Sequence, residues 1–124
     1  MNFSEAPEFK KDVKRLSKKW RSIPDDIEAA KVHILPLYVS LDKNVSIENY
    51  RQAFFNNKKA TILQSSDGFE VVKIRLDVES LGSNNKVRLV FTAIQSDNSI
   101  LFVELYAKNE KPREDNRRIK KYLS

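Results

Sequence analysis

Three segments in the second half of the chain alternate between apolar and polar residues, as strands with one buried face do. They span residues 72–76, 87–93 and 101–108. Because strand side chains point to opposite faces with a period of two, the apolar positions should share one face. Those positions are Ile74, Leu76, Leu89, Phe91, Ala93, Leu101, Val103 and Leu105. We therefore expect a small, twisted, mainly antiparallel sheet with this face against the core.

The N-terminal third has the apolar period of amphipathic helices. Apolar residues recur from Phe9 to Trp20 at the spacing i, i+4, i+7 and i+11, which makes one helical stripe and predicts a buried Trp20. A second helix is predicted to begin around Pro24 and to end near Leu35, because Pro36 interrupts its pattern. The two helices predict a hairpin packed on one face of the sheet, and hence an α+β fold.

Two shorter helices complete the prediction. Ser46 is placed to cap a helix over residues 47–54, and a C-terminal helix is expected from near Pro112 to Leu123. Residues 42–70 otherwise give no clear pattern, and Thr61-Ile62-Leu63 is too short to assign.

The turn between the last two strands is predicted to be a three-residue loop, Ser96-Asp97-Asn98, with Asn98 left-handed. This register places Arg88 opposite Tyr106 and Val90 opposite Glu104. Pairing of Phe91 with Phe102 would contradict this register, because one strand would then be turned over.

The composition of the chain excludes several classes of site and function. Residues 1–124 have the size of one domain, with 40% hydrophobic and 32% charged residues and no cysteine, which excludes disulfides and Cys-based metal sites. The two glycines leave no room for a glycine-rich phosphate loop, and no acids have metal-site spacing, so neither cofactor nor metal is expected. No signal peptide or membrane span is evident, which predicts a cytoplasmic protein without a membrane partner.

The predicted polar face of the sheet is cationic. Alternation places four basic residues there together with one acid and one phenol, and the chain carries a net charge of +6 with both ends basic. Such a surface favours an anion, most simply a phosphate backbone. The six residues are Lys73, Arg75, Arg88, Glu104, Tyr106 and Lys108.

These residue types suit metal-free RNA cleavage through the 2′-hydroxyl. That reaction needs aligned groups, positive charge on the forming phosphorane and a route for protons. The two arginines suit bidentate phosphate contacts, the two lysines suit point charges or proton donors, and Glu104 or Tyr106 suits a base. The alternative is a set of solvated strand residues in which Glu104 pairs with a neighbouring cation.

Further basic residues flank this face in the sequence. Lys14 and Lys18 belong to a lysine-rich helix surface that is either solvated or turned toward RNA. Lys111 and Arg113 follow the last strand and are additional candidates for RNA contacts.

The succession Lys73-Ile74-Arg75, then Arg88-Leu89-Val90-Phe91, then Tyr106-Ala107-Lys108, behind a Phe-Lys-Lys-Asp-Val-Lys-Arg-Leu helix, resembles the RelE/ParE toxin superfamily. The resemblance covers most of the chain but is loose between residues 40 and 70. It implies a single RelE-like domain with an N-terminal helical hairpin on a twisted, mainly antiparallel sheet.

The resemblance also implies a function. RelE-like members of type II toxin–antitoxin systems cut mRNA in the ribosome without metal, and an antitoxin encoded beside them neutralises them in a hetero-oligomer. Lys73, Arg75 and Arg88 would handle phosphate, and Lys108 would end the last central strand. RelE-like nucleases often carry an aromatic or histidine acid/base after that strand. Residues 109–113 have neither, so Glu104, Tyr106 or Tyr122 would substitute.

Two other functions stay open. ParE-like members of the same fold poison DNA gyrase by binding it and lack the catalytic set. A small RNA-binding module with no catalytic role would carry the same basic face.

Overall fold

The computed structural model describes residues 1–56, 59–82 and 86–123. Within these ranges the chain forms an α+β fold built on a five-stranded mixed sheet with helices on both faces. The strands are β1 (Asn2–Glu5), β2 (Ala60–Ser66), β3 (Phe69–Leu76), β4 (Val87–Ile94) and β5 (Ser99–Ala107). The helices are α1 (Pro7–Ser17), α2 (Ile23–Ile34), α3 (Ile47–Asn56) and α4 (Asn116–Lys121).

The sheet has the strand order β1-β5-β4-β3-β2. β1 runs parallel to β5, and the other three neighbouring pairs are antiparallel. The three strands expected from alternation are confirmed, and β1 and β2 are additional strands at the two edges. The expectation of a mainly antiparallel sheet is thus confirmed.

The α1–α2 hairpin packs on one side of the sheet, here called the helical face. Phe9 of α1 is fully buried, and its ring lies 5.4 Å from that of Phe102. Ile23 and Ile34 bury the two ends of α2 in the same core. Trp20 is only half-buried at the edge of this core, because α1 ends at Ser17 before the stripe reaches it. The prediction of a buried Trp20 is therefore met only in part.

Local capping signals place the remaining helices. The backbone N–H of Asn49 donates to Ser46 Oγ at 3.0 Å, which confirms Ser46 as the cap of α3. The C-terminal helix begins at Asn116 rather than near Pro112, because Asp115 accepts hydrogen bonds from the N–H groups of Arg117 and Arg118. No helix in the described ranges is long and apolar enough to cross a membrane.

The opposite side of the sheet, here called the C-terminal face, is less open than the sequence predicts. Val71, Val90, Val103 and Tyr106 form a second buried apolar cluster there, closed by Ile119 of α4. The residues after β5 run over this face, where Lys111 pairs with Glu104, and they also contact α1 through the pair between Glu110 and Arg15. The face is polar in part, but it is not a solvated surface.

A β-bulge in β5 explains why one apolar prediction is wrong. Arg88 pairs with Tyr106 and Val90 with Glu104, as expected, yet Phe91 then pairs with Phe102. The extra residue turns Val103 onto the C-terminal face and puts Phe102 on the helical face. An unbroken alternation had placed Leu101 and Val103 with Leu105.

The same bulge changes the turn between β4 and β5. Ile94 pairs with Ser99, so the loop has four residues, 95–98, rather than three. The N–H of Asn98 donates to the carbonyl of Gln95 at 3.1 Å, and Asn98 has φ of 49°, so its left-handed conformation is confirmed. The predicted three-residue loop is wrong because the bulge shifts the register of the first half of β5 by one residue.

Candidate phosphate-binding site

β3, β4 and β5 bring five of the predicted site residues together in two rows across the C-terminal face. Arg75, Arg88 and Tyr106 are opposite one another on successive strands and form the first row. Lys73, Val90 and Glu104 form the second row, one pleat further along. The strand register, rather than any loop, positions these groups.

The first row places two arginines directly opposite each other on neighbouring strands. Arg75 is exposed, whereas Arg88 is only 8% exposed and donates from Nη1 to the carbonyl of Val87 at 3.3 Å. Burial and the neighbouring charge of Arg75 lower the pKa of Arg88. Like charges directly opposite in a sheet are destabilising, and a bound anion would relieve that repulsion.

Tyr106 ends this row as a buried phenol. Its side chain is fully buried, and its hydroxyl has no hydrogen-bond partner among the described residues. Burial, together with the charges of Glu114 and Glu104, raises the Tyr106 pKa to about 12. The hydroxyl is therefore protonated at neutral pH, and it can donate a hydrogen bond to an oxyanion but not act as a base.

Glu104 is buried and fully engaged. One carboxylate oxygen is paired with Lys111 Nζ, and the other accepts the backbone N–H of Asp115 at 2.8 Å. The pairing with a neighbouring cation that the sequence allowed is present, although Glu104 is buried rather than solvated. Its geometry suits an anchor for the C-terminal residues better than a catalytic base.

Lys73 also has an acidic partner. Its Nζ lies 2.9 Å from an Oε of Glu114, and the two side chains are 24% and 12% exposed. Partial burial opposes ionisation of Glu114, but the hydrogen bond from Lys73 and the charge of Arg113 hold its pKa below the usual range. The cationic face is thus partly neutralised by an acid that lies outside the strands.

The other predicted residues lie around this face. Lys108 is exposed just beyond the end of β5, and Arg113 is exposed in the following segment. Lys111 lies over the ring of Tyr106, 5.3 Å from its centroid, besides pairing with Glu104. Lys14 on α1 and Lys18 directly after it are exposed and lie outside the two rows.

A buried network that the sequence analysis missed fixes the C-terminal residues to β5. Asp12 of α1 accepts the N–H of Leu105 at 3.0 Å and a hydrogen bond from Arg118 at 2.5 Å. Arg118 also donates to the carbonyl of Val103 in the bulge at 3.2 Å. The available signal was that Asp12 lies at position i+3 from Phe9, on the apolar stripe, where a solvated acid is out of place.

A cavity lies on the helical face. It has a volume of about 470 Å³ between α2, α3 and the end of β3, and its walls include Ile34 and Phe54. His33 is exposed at this cavity, and its backbone carbonyl accepts the Tyr50 hydroxyl at 2.6 Å. The first row on the C-terminal face is a better candidate for a functional site than this cavity, because charged groups and a buried hydroxyl lie together there.

Comparison of the chain with protein-family models, with curated proteins and with solved structures found no match. The function is therefore inferred from the residues and their geometry.

Proposed function

We propose that this protein is a RelE-like toxin of a type II toxin–antitoxin system, a metal-independent, ribosome-dependent mRNA endonuclease. The observation that carries the proposal is the row of Arg75, Arg88 and Tyr106, which sets two opposed cations beside a protonated phenol. The α1–α2 hairpin on a mainly antiparallel sheet supports the proposal, since the resemblance implied that arrangement. The proposed partners are mRNA on the ribosome and a cognate antitoxin.

The proposed reaction uses the 2′-hydroxyl of the RNA as nucleophile. Its oxygen attacks the adjacent phosphorus, the bond from phosphorus to the 5′ oxygen breaks, and a 2′,3′-cyclic phosphate and a 5′-hydroxyl result. Arg75 and Arg88 stabilise the charge of the phosphorane. Tyr106 protonates the leaving 5′ oxygen and regains a proton through water, while the 2′-hydroxyl gives up its proton to water.

Glu104 supports a second candidate, in which the same face binds without cutting. Both of its carboxylate oxygens are engaged, so this acid is poorly placed to accept a proton. A ParE-like toxin that inhibits a protein such as gyrase, or an RNA-binding module, needs no such base. The two candidates differ in whether new RNA ends appear.

Inducible expression in bacteria tests both candidates. The wild-type protein should arrest growth and create new mRNA 5′ ends, and Arg88→Ala should lower cleavage by about 10²–10³-fold. Arg88→Lys should restore activity only in part, because a point charge cannot replace a bidentate grip. Arg21→Ala is the matched control. This substitution removes the same charge, and Arg21 is exposed in the α1–α2 connection, away from the proposed site.

Three outcomes contradict the endonuclease proposal. A wild-type protein that leaves growth unchanged is not a toxin. Growth arrest without new 5′ ends favours the protein-binding candidate instead. An Arg88→Ala protein that melts like the wild type and remains fully toxic would show that Arg88 does not take part in the mechanism.

The salt dependence of RNA binding is a further test. The logarithm of the RNA affinity should fall with the logarithm of the salt concentration with a slope of about −0.7 for each phosphate contacted. An affinity that does not change with salt argues against a phosphate site.

A further inference from the structure

Residues 109–115 form a strap that is tied to the C-terminal face at several points. Glu104 holds it through the side chain of Lys111 and the backbone N–H of Asp115. Arg15 holds it from α1, with hydrogen bonds of 3.0 and 3.2 Å to Glu110. A segment secured in this way to both the sheet and α1 is a structural cover rather than a solvated tail.

Glu114 is the member of the strap that reaches the proposed site. Its carboxylate is paired with Lys73 at 2.9 Å, and its side chain is 12% exposed. The same carboxylate is close enough to Tyr106 for its charge to raise the pKa of that phenol. An anionic group of this chain is therefore paired with the lysine of the proposed site, while the Tyr106 hydroxyl has no hydrogen-bond partner among the described residues.

We infer that the Glu114 carboxylate occupies the subsite for an RNA phosphate, and that the strap is displaced when a single-stranded phosphodiester binds there. The inference rests on the proposed RNA-binding function and names its regulation. A phosphate oxygen needs the donor that the Glu114 carboxylate already holds, the Lys73 ammonium. It can also accept from the Tyr106 hydroxyl, which the carboxylate leaves without a hydrogen bond. The carboxylate and the phosphate cannot occupy the same place, so RNA binding competes with closure of the strap.

Displacement of the strap does not require the C-terminal helix to leave. α4 is held separately by the ion pair between Arg118 and Asp12, and by contacts of Lys121 and Tyr122 with Glu8. The strap is therefore a seven-residue loop anchored at both ends, by β5 on one side and by α4 on the other. Its opening also uncovers the Tyr106 hydroxyl, which the closed strap leaves buried.

Fluorescence anisotropy with a labelled ten-nucleotide single-stranded RNA tests the inference, with 2′-O-methyl groups to prevent cleavage. Glu114→Gln keeps the shape of the side chain and removes the competing charge, so it should bind about tenfold more tightly than the wild type. Glu28→Gln is the matched control: it removes the same charge from a carboxylate paired with Lys31 on α2, across the sheet from the strap. Its affinity should stay within about twofold of the wild type.

A second comparison localises the effect to the subsite. In a Lys73→Gln background, Glu114→Gln should give little further gain, because the donor for which the two anions compete is absent. Equal gains from Glu114→Gln and Glu28→Gln, with wild-type binding that is lost in Arg88→Ala, overturn the strap inference alone. If neither the wild type nor Glu114→Gln binds the RNA at low salt, the RNA-binding proposal falls and the inference falls with it.

Discussion

Replacing Asp12 with alanine should destabilise this protein more than almost any other single change to a charged residue. The Asp12 carboxylate is buried and is shared by three donors: Arg15, Arg118 and the backbone N–H of Leu105. Asp12 lies on α1, Leu105 on β5 and Arg118 on α4, so one carboxylate joins three elements that are distant in sequence. Loss of the side chain leaves both a buried N–H and a guanidinium without their acceptor.

The magnitude follows from those two losses. Leu105 is fully buried, and an orphaned buried N–H costs about 1–3 kcal/mol. The Arg118 side chain is 17% exposed, and breaking a buried ion pair by removing one partner costs about 3–5 kcal/mol. Since Arg118 regains some water, we expect a total of about 3–5 kcal/mol for Asp12→Ala. Asp12→Asn keeps one acceptor oxygen and should cost about half as much.

Thermal and urea denaturation followed by circular dichroism measure this loss. For a chain of this size, about 3–5 kcal/mol corresponds to a fall in Tm of roughly 10–20 °C. Asp25→Ala is the control, because Asp25 is exposed in the first turn of α2 and should cost under about 1 kcal/mol. An Asp12→Ala protein with the Tm of the control would show that the network does not stabilise the fold.

Two further predictions concern α1 and its partners. The hydrogen bond from Tyr122 and the pair with Lys121 lower the pKa of Glu8 from 4.5 to about 2, so its stabilising contribution is complete above pH 4.5 and lost as the pH falls toward 2. Urea midpoints between pH 5 and pH 2 should therefore fall less steeply in Glu8→Gln than in the wild type, and parallel curves would contradict this. Phe9→Ala should cost about 3–5 kcal/mol by urea denaturation, and Trp20→Ala distinctly less, because Phe9 is fully buried and Trp20 is half-buried. Equal losses would show that the Trp20 ring contributes more packing than its exposure indicates.

Elements with a local signal were predictable from the sequence. The α2 helix follows from its early proline and acidic first turn, and α3 from its serine cap. Alternation located β3, β4 and β5. In each case the residues that specify the element belong to the element itself or adjoin it.

Elements that depend on distant partners were not predictable. β1 has four residues and exists through parallel pairing with β5, almost a hundred positions later in the chain. The second half of β2 is polar, and its pairing with β3 defines it as a strand. The bulge at Val103 is fixed by Asp12 and Arg118, so no pattern within β5 reveals it.

The candidate site was also predictable only in part. Period-two alternation was enough to place Lys73, Arg75 and Arg88 on one face. The acid that neutralises part of that face was not found, because Glu114 appears in the sequence as a first-turn acid of the last helix. Since that helix begins two residues later, Glu114 belongs instead to the strap.

The way β5 ends has a consequence for association between molecules. β1 stops at Glu5, so within the described residues no strand pairs with the second half of β5 on the side away from β4. An open strand edge invites pairing with another chain. Here the outward N–H groups of Leu105 and Ala107 donate to the carboxylates of Asp12 and Glu110 instead. A foreign strand would have to displace both acids to pair along this stretch. Edge-to-edge aggregation and donated-strand binding are thus blocked there by side chains, and β2, itself irregular between Ile62 and Gln64, is the longer edge open to them in the described chain.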